Sequence, residues 1–119
     1  MYKVTIDRQK RLISIVISGF VEIGEADHLT TDLRAAVRNL RSSGAQFDMI
    51  TDLREASVLP SESVAESKDQ APWLIEHGLR KSVALVSSML MKMQVDRVTA
   101  APNFASFVSE EEAMDWLSL

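Results

Sequence analysis

The sequence predicts one α/β domain spanning residues 1–119, with a mixed β-sheet flanked by helices in the order ββαβαβαβα. Three observations lead to this fold class. Residues 2–17 alternate apolar and polar side chains around a polar turn, and residues 25–42 repeat apolar side chains at helical spacing. Short apolar runs then alternate with helix-length segments, which is typical of a sheet that contains parallel strands.

The first two strands and the first helix follow from simple periodicity. Alternation over 2–6 and a β-branched run over 12–17 predict an antiparallel hairpin, which ends at Gly19. The helix over 25–42 has one apolar stripe. Its members are Ala26, Leu29, Leu33, Ala36, Val37 and Leu40. Gly44 suits a left-handed position after the helix.

A short run over 46–53 predicts the central strand, because Phe47, Met49 and Ile50 suit a strand covered on both faces. We expect this strand to end in a loop that carries Asp52 and continues over 56–60. Ligands and partners of open α/β sheets gather beyond the carboxyl ends of strands. The loop is therefore expected to be a binding or regulatory surface. Asp52 has a simpler role open to it, as a turn residue bonded to backbone N–H groups.

A second helix is expected from Ser61 or Ser63 to about His77. Pro72 should break or kink this helix, because proline lacks the backbone N–H that a helix interior uses. Trp73, Leu74 and Leu79 are expected to pack inward in its second part, and Gly78 ends it.

The remaining elements are a buried strand over 83–86, a helix from Ser87 or Ser88 to about Thr99, a strand over 104–108 and a final helix. Ser109 followed by Glu112 forms a capping box at the start of that final helix. Its inward residues are expected to be Ala113, Trp116 and Leu117.

The methionine-rich helix leaves two alternatives open. Met91, Val95 and Val98 form the natural core face, which places Met89 and Met93 on nearly the opposite side. Either a neighbouring helix covers these two residues, or they form an exposed patch of flexible side chains suited to adaptable binding. A homodimer would be the simplest use of such a patch, because symmetric pairs are the commonest oligomers.

Composition excludes several classes of function. The net charge of −4 argues against nucleic-acid binding, and the absence of cysteine excludes disulfides and thiolate metal sites. No window predicts a membrane span or a signal peptide, so we expect a cytoplasmic protein. His28 and Asp32 share helical spacing but should face water, so neither a metal nor a cofactor is expected. No catalytic triad or glycine-rich phosphate loop can be argued from four glycines and the residue spacing.

Three stretches resemble the SpoIIAA-like group of the STAS superfamily, the anti-sigma-factor-antagonist fold. They are residues 47–53 running into the Ser61 region, residues 80–86 and residues 107–117. The resemblance implies a non-enzymatic regulatory domain that binds a protein partner. It also implies that a serine after the central strand is phosphorylated to switch that binding. Ser61 aligns with this serine, whereas Pro60 and Ser63 replace the aspartate and glycine of the family motif.

The predicted regulatory loop therefore contains Asp52, Ser57, Ser61 and Ser63. The alternative function is a module that binds a small apolar molecule or lipid. Its pocket would lie near Trp73, between the second helix, the methionine-rich helix and the sheet. A closed apolar pocket there would favour the ligand, and a shallow surface would favour the protein partner.

Overall fold

The computed structural model describes residues 1–20, 23–41, 44, 46–57, 70–99 and 101–119, with only the backbone of Ile23 and Val98. The elements are β1 (Tyr2–Asp7), β2 (Leu12–Gly19), α1 (Ile23–Arg41), β3 (Phe47–Ala56), α2 (described over 70–76), β4 (Leu79–Leu85), α3 (Met89–Val98), β5 (Phe104–Phe107) and α4 (Glu110–Ser118). The predicted order ββαβαβαβα is confirmed.

The strands of the described chain form one sheet in the order β1-β2-β3-β4-β5. Strand β1 is antiparallel to β2, as the predicted hairpin requires, and β2, β3, β4 and β5 are parallel to one another. Strand β3 is therefore central. Because four strands run in the same direction, they all end at one edge of the sheet, which we call the carboxyl edge.

Helices cover the two faces of the sheet unequally. One face packs against α1, α2 and α3, and its core includes Ile13, Val37 and Phe47, with Leu74 and Met91 from the later helices. Of the described helices, α4 is the one that packs against the other face. Its buried residues are Val83, Leu85, Ala113 and Leu117. We call these the three-helix face and the α4 face.

Charged residues on β3 and β4 hold the end of α4. Arg80 donates two hydrogen bonds to Asp48, at 2.9 and 2.7 Å, and a third to the Leu117 carbonyl oxygen at 2.9 Å. Lys81 donates to the Trp116 carbonyl oxygen at 2.9 Å, and its ammonium lies 5.0 Å from the centroid of the Trp116 ring. Cations at these positions satisfy the last helix carbonyls and oppose the negative end of the helix dipole.

The start of α4 is capped as the sequence predicts. The Glu112 N–H donates to Ser109 Oγ at 3.3 Å. Ala113 and Leu117 are buried, whereas Trp116 is only half-buried, beside Phe107 and under the Lys81 ammonium. The Trp116 ring thus contacts both the Phe107 ring and the Lys81 ammonium.

Strand β4 begins at Leu79, four residues before the predicted start at Val83. The prediction was wrong because it sought an apolar run, whereas Arg80, Lys81 and Ser82 are polar. Arg80 and Lys81 are satisfied by Asp48 and by the carbonyls of α4, and Ser82 is buried on the three-helix face. A strand in the interior of the sheet can thus carry three polar residues in succession.

The described part of α2 runs from Gln70 through Pro72 without a break, and the first of the two predicted helical pieces lies outside the described residues. Trp73 stacks on His77 with ring centroids 3.9 Å apart, and the Arg34 guanidinium lies 4.9 Å from the Trp73 ring. Gly78 follows the helix with φ +101°, and a Cβ there would lie 2.6 Å from an Arg41 nitrogen. The positive φ therefore favours glycine, whereas the close contact is with the end of the flexible Arg41 side chain, which can shift.

We expect the replacement Asp48→Ala to lower the free energy of unfolding by about 1–2 kcal/mol. It removes two charge-assisted hydrogen bonds, and the partial exposure of Arg80 limits the loss. Urea denaturation measures the change. Glu55→Ala, at an exposed position on the same strand, is the matched control and should change stability by less than about 0.5 kcal/mol. Equal losses in both variants would contradict a special role for the Asp48–Arg80 pair.

Candidate functional site

The carboxyl edge brings the ends of four strands next to the starts of three described helices. Gly19 ends β2 and precedes α1, Ala56 ends β3, and short connections join β4 to α3 and β5 to α4. In open α/β sheets this edge is where ligands and partners bind. A functional surface is therefore expected at the carboxyl edge.

Asp52 lies inside β3 and not on a loop, which corrects the prediction. The strand continues to Ala56 because Leu53 is buried in the core on the three-helix face, while Asp52 and Arg54 point to the other face. Arg54 donates to Asp52 from Nη2 at 2.8 Å and from Nε at 3.0 Å. Its Nη1 also lies 3.3 Å from Glu110 Oε2, which links β3 to the first turn of α4.

The hydrogen bonds from the Arg54 guanidinium lower the pKa of Asp52. Partial burial acts in the opposite direction, and the Arg54 backbone N–H, 3.1 Å from Asp52 Oδ1, lowers the pKa further. The carboxylate is thus held ionised by a neighbour two residues away. Asp52 helps to organise the α4 face and is not available as a free carboxylate at the carboxyl edge.

Ser57 is the first residue after β3 and the last described residue of the predicted regulatory loop. Its side chain is exposed, and its backbone N–H donates to the Gly19 carbonyl oxygen at 2.9 Å. Ser61 and Ser63 lie outside the described residues. The structure therefore separates Asp52 from Ser57 and leaves the role of Ser61 and Ser63 as a prediction.

The first turns of α3 carry an exposed apolar surface. Met89, Leu90 and Met93 are 63%, 61% and 58% exposed, whereas Met91 is 7% exposed in the core. None of the described helices covers the first three, and their side chains are exposed as the second alternative from the sequence describes. We call these three residues the α3 patch. Phe20 and Val108, which follow β2 and β5 at the same edge, are also exposed.

A polar cluster that sequence analysis missed fixes α3 to β5. Lys92 Nζ lies 2.9 Å from Asp96 Oδ2 and 2.9 Å from the Ser106 carbonyl oxygen, and the Ser106 hydroxyl donates to Asp96. In the sequence, this cluster was indicated only by the four-residue separation of Lys92 and Asp96, which places their side chains on one side of a helix. Ser106 is 2% exposed and its hydroxyl is shared between a cation and a carboxylate, so the cluster serves to position the α3 patch.

A cavity of about 190 Å³ lies between the three-helix face of the sheet and the helices. Its walls include Ala71 and Leu74 of α2 and Met91 of α3, which is the region where the alternative function places a pocket. Trp73 is not among its described lining residues. Met89 and Met93 are exposed and likewise do not line it.

His28 and Asp32 are exposed on α1, as predicted. Asp32 accepts a hydrogen bond from the Tyr2 hydroxyl, and this bond raises the pKa of Tyr2 to about 12. Within the described residues, no cluster of three or more histidine or acidic side chains could hold a metal ion. None of the described helices is long and apolar enough to cross a membrane.

Two solved structures are similar to this chain over nearly its whole length. An uncharacterised protein of the DUF3478 family from Shewanella loihica PV-4, which has a SpoIIAA-like fold, has a TM-score of 0.67 and 18% sequence identity, covering 98% of this chain and 93% of that one. The anti-sigma factor antagonist SpoIIAA in its unphosphorylated form has a TM-score of 0.69 and 13% identity, covering 99% and 96%.

No family model matches the sequence, and no curated protein matches it. The two structural similarities confirm the resemblance at the level of fold. The chain has a SpoIIAA-like α/β fold.

We expect the Asp52 carboxyl to titrate below its ordinary range near pH 4 in carboxyl-detected NMR. Because the folded-state pKa is lowered, the stabilisation from this group is present above about pH 4. It is lost as the pH falls through the folded-state pKa. Arg54→Gln should return the titration toward pH 4, whereas Arg97→Gln, at an exposed position on α3, should not. An Asp52 titration that is the same in all three proteins would contradict the assignment of Arg54 as the cause.

Proposed function

We propose that this chain is a STAS-type regulatory domain that binds a protein partner at the carboxyl edge and catalyses no reaction. The observation that carries the proposal is the α3 patch, where three adjacent apolar side chains are more than half exposed. Leu90 and Met93 are three residues apart and Met89 and Met93 four, so the side chains form one surface on the helix. Flexible methionines suit contact with another protein surface.

The charges around this edge indicate the chemistry of the partner. The described acidic residues at the starts of α1 and α4 and at the end of β3 are Glu25, Glu55, Glu110, Glu111 and Glu112. Two described cations lie near them: Arg54, which is paired with Asp52 and Glu110, and the Met1 ammonium, which is paired with Glu25. A complementary partner would present an apolar surface bordered by lysine and arginine.

A second copy of this chain fits the edge less well. In a symmetric pair the same surface meets itself, so acidic borders would face each other. Like charges across an interface oppose association. We therefore favour a different protein as the partner, and the predicted homodimer becomes an outcome that the experiment below distinguishes.

The proposal includes a switch at Ser61. SpoIIAA, an anti-sigma factor antagonist that has an unphosphorylated form, supports this idea through its fold. Ser61 follows Ser57, which ends the described part of the regulatory loop, by four residues. A phosphate on Ser61 would add negative charge to a loop whose described part begins at this acidic edge. Such a charge would alter the affinity for a partner with a basic border.

Replacing Met89 and Met93 together by lysine should weaken partner binding at least tenfold. The change removes apolar contact area and places positive charge against the basic border of the partner. The partner would first be captured from the native cell and identified, and the affinity of the purified pair would then be measured by calorimetry. Met114→Lys, at an exposed methionine on α4, is the control and should bind as the unmodified chain does.

Light scattering of the same proteins distinguishes self-association of this chain from the binding of a different protein. We expect the unmodified chain and the double variant both to be monomers. A dimer that the two lysines dissociate would assign the α3 patch to self-association. A partner that binds the double variant as tightly as the unmodified chain would place the interface elsewhere.

Ser61→Asp should change the affinity for the partner and barely change stability, because aspartate can also cap a helix. Ser63→Asp is the matched variant, with the same added charge two residues away. Calorimetry measures affinity and thermal unfolding measures stability. If the partner binds the Ser61→Asp variant and the unmodified chain equally, the switch is absent from this protein.

A further inference from the structure

Strand β1 is an outer strand of the sheet, and one row of its backbone groups pairs with no described strand. The Met1 ammonium donates to the Ser18 carbonyl oxygen at 2.9 Å, and the Ser18 N–H donates to the Met1 carbonyl oxygen at 2.8 Å. In an antiparallel pair, positions bonded in this way alternate with positions that are not. The N–H and C=O groups of Tyr2, Val4 and Ile6 therefore point away from β2, and we call this row the β1 edge.

Strand β1 lacks three features that block the pairing of an outer strand. It has six residues, and its register with β2 is continuous from Tyr2 to Asp7, without a bulge. It also contains neither proline nor glycine, which would interrupt or weaken a further row of hydrogen bonds. The outer strand on the other side of the sheet, β5, has four residues. The β1 edge is therefore better suited to accept an added strand.

An open groove of about 510 Å³ lies between β1 and α1, beside the β1 edge. Its apolar walls are Val4 and Ile6 of the strand and the small side chains of Ala35 and Ala36 of the helix. The other described lining residues are Tyr2, Lys3, Asp32 and Asn39. In an added strand, every second side chain would point to the same side of the sheet as Val4 and Ile6. The groove can therefore take apolar side chains from such a strand.

The charges on the other face of β1 indicate the sequence of the added strand. Lys3, Thr5 and Asp7 are exposed and alternate with the residues that pack on the core. Opposite charges on directly facing residues stabilise a strand pair. An antiparallel strand would therefore have a basic residue opposite Asp7 and, four residues later, an acidic residue opposite Lys3. Apolar residues opposite Ile6 and Val4 complete the pattern.

A second copy of this chain matches the charges but not the groove. Residues 3–7 themselves have the order basic, apolar, polar, apolar, acidic. In a second copy, however, Val4 and Ile6 already pack against the core of their own subunit and cannot enter the groove of the first. An extended segment without a helix over it can place its apolar side chains there. The groove thus favours a segment of a different protein.

We propose that the β1 edge binds an extended segment of a partner protein as an additional antiparallel strand, with the order basic, apolar, any residue, apolar, acidic. Backbone hydrogen bonds would supply affinity, and the groove together with Lys3 and Asp7 would supply specificity. Strand β1 and strand β5, to which α3 is fixed, lie on opposite sides of the sheet. The proposal therefore goes beyond the function proposed for the α3 patch and does not depend on it.

Two end-capped peptides of the same composition test the proposal. The first has the order lysine, valine, threonine, valine, glutamate, and the second exchanges the lysine and the glutamate. We expect the first to bind about fivefold more tightly, because only this order places opposite charges beside Asp7 and Lys3 in an antiparallel strand. NMR titrations that follow the backbone amides of β1 give the two dissociation constants.

Methylation of one backbone nitrogen of the first peptide tests the hydrogen bonds. The N–H of the second valine would face Val4 of the β1 edge, so an N-methyl group there should weaken binding at least tenfold. The N–H of the threonine would face away from β1. An N-methyl group on the threonine is therefore the matched control and should change the affinity much less.

A charge change in the protein tests the register. In the Lys3→Glu variant each peptide would meet one opposite and one like charge, so the preference between the two peptides should disappear. Lys10→Glu, at an exposed position in the turn after β1, makes the same charge change away from the β1 edge. This control should keep the fivefold preference.

Three results would overturn the proposal. One is that neither peptide shifts the β1 amides at the limit of its solubility. The second is that the two peptides bind the unmodified chain equally, or that the second binds more tightly, because the added strand is then not antiparallel in this register. The third is that the β1 amides shift with protein concentration alone, without peptide, because a second copy then occupies the β1 edge.

Discussion

The ion pair between Asp48 and Arg80 is the interaction on which the packing of the α4 face depends. Asp48 interrupts the apolar run of the central strand, and its side chain is only 16% exposed. A carboxylate in such a place is costly unless it is paired and hydrogen-bonded. Arg80 meets this need from the next strand and uses a further donor to hold the last turn of α4. One pair thus connects β3, β4 and the helix that covers them.

The two faces of the sheet consequently differ in their physical character. The α4 face is closed by one helix held at both ends by charges, through Arg54 to Glu110 at its start and through Arg80 and Lys81 at its end. The three-helix face has a larger apolar core and retains a cavity. Charged hydrogen bonds thus dominate on the α4 face, and apolar contacts dominate on the three-helix face.

Much of the fold could be predicted because it is encoded by local periodicity and by caps. Alternation gave the β1–β2 hairpin, and the serines before α3 and α4 accept hydrogen bonds from those helices as expected. The exposure of Met89 and Met93 followed from the same helical geometry that buries Met91. In each case the information lies within a few neighbouring residues.

The rest depends on contacts between distant residues, which a single sequence does not display. The end of β3 and the start of β4 were misplaced because charged residues there are paired within the sheet and with α4. A pattern of polarity cannot distinguish them from loop residues. The sequence predicted the region in which a pocket would lie but not its lining. Hydrophobicity indicates which residues are buried and not whether they fill the space between them.

The two tryptophans lie on opposite faces of the sheet. Trp73 belongs to the cluster of the three-helix face and stacks on His77, whereas Trp116 packs with the cluster of the α4 face under Lys81. Each layer of the domain therefore contains its own natural fluorophore in a distinct electrostatic environment. Emission from a chain that keeps only Trp73 would report on the helices around the cavity. A chain that keeps only Trp116 would report on the docking of α4, so the two layers can be followed independently without any added dye.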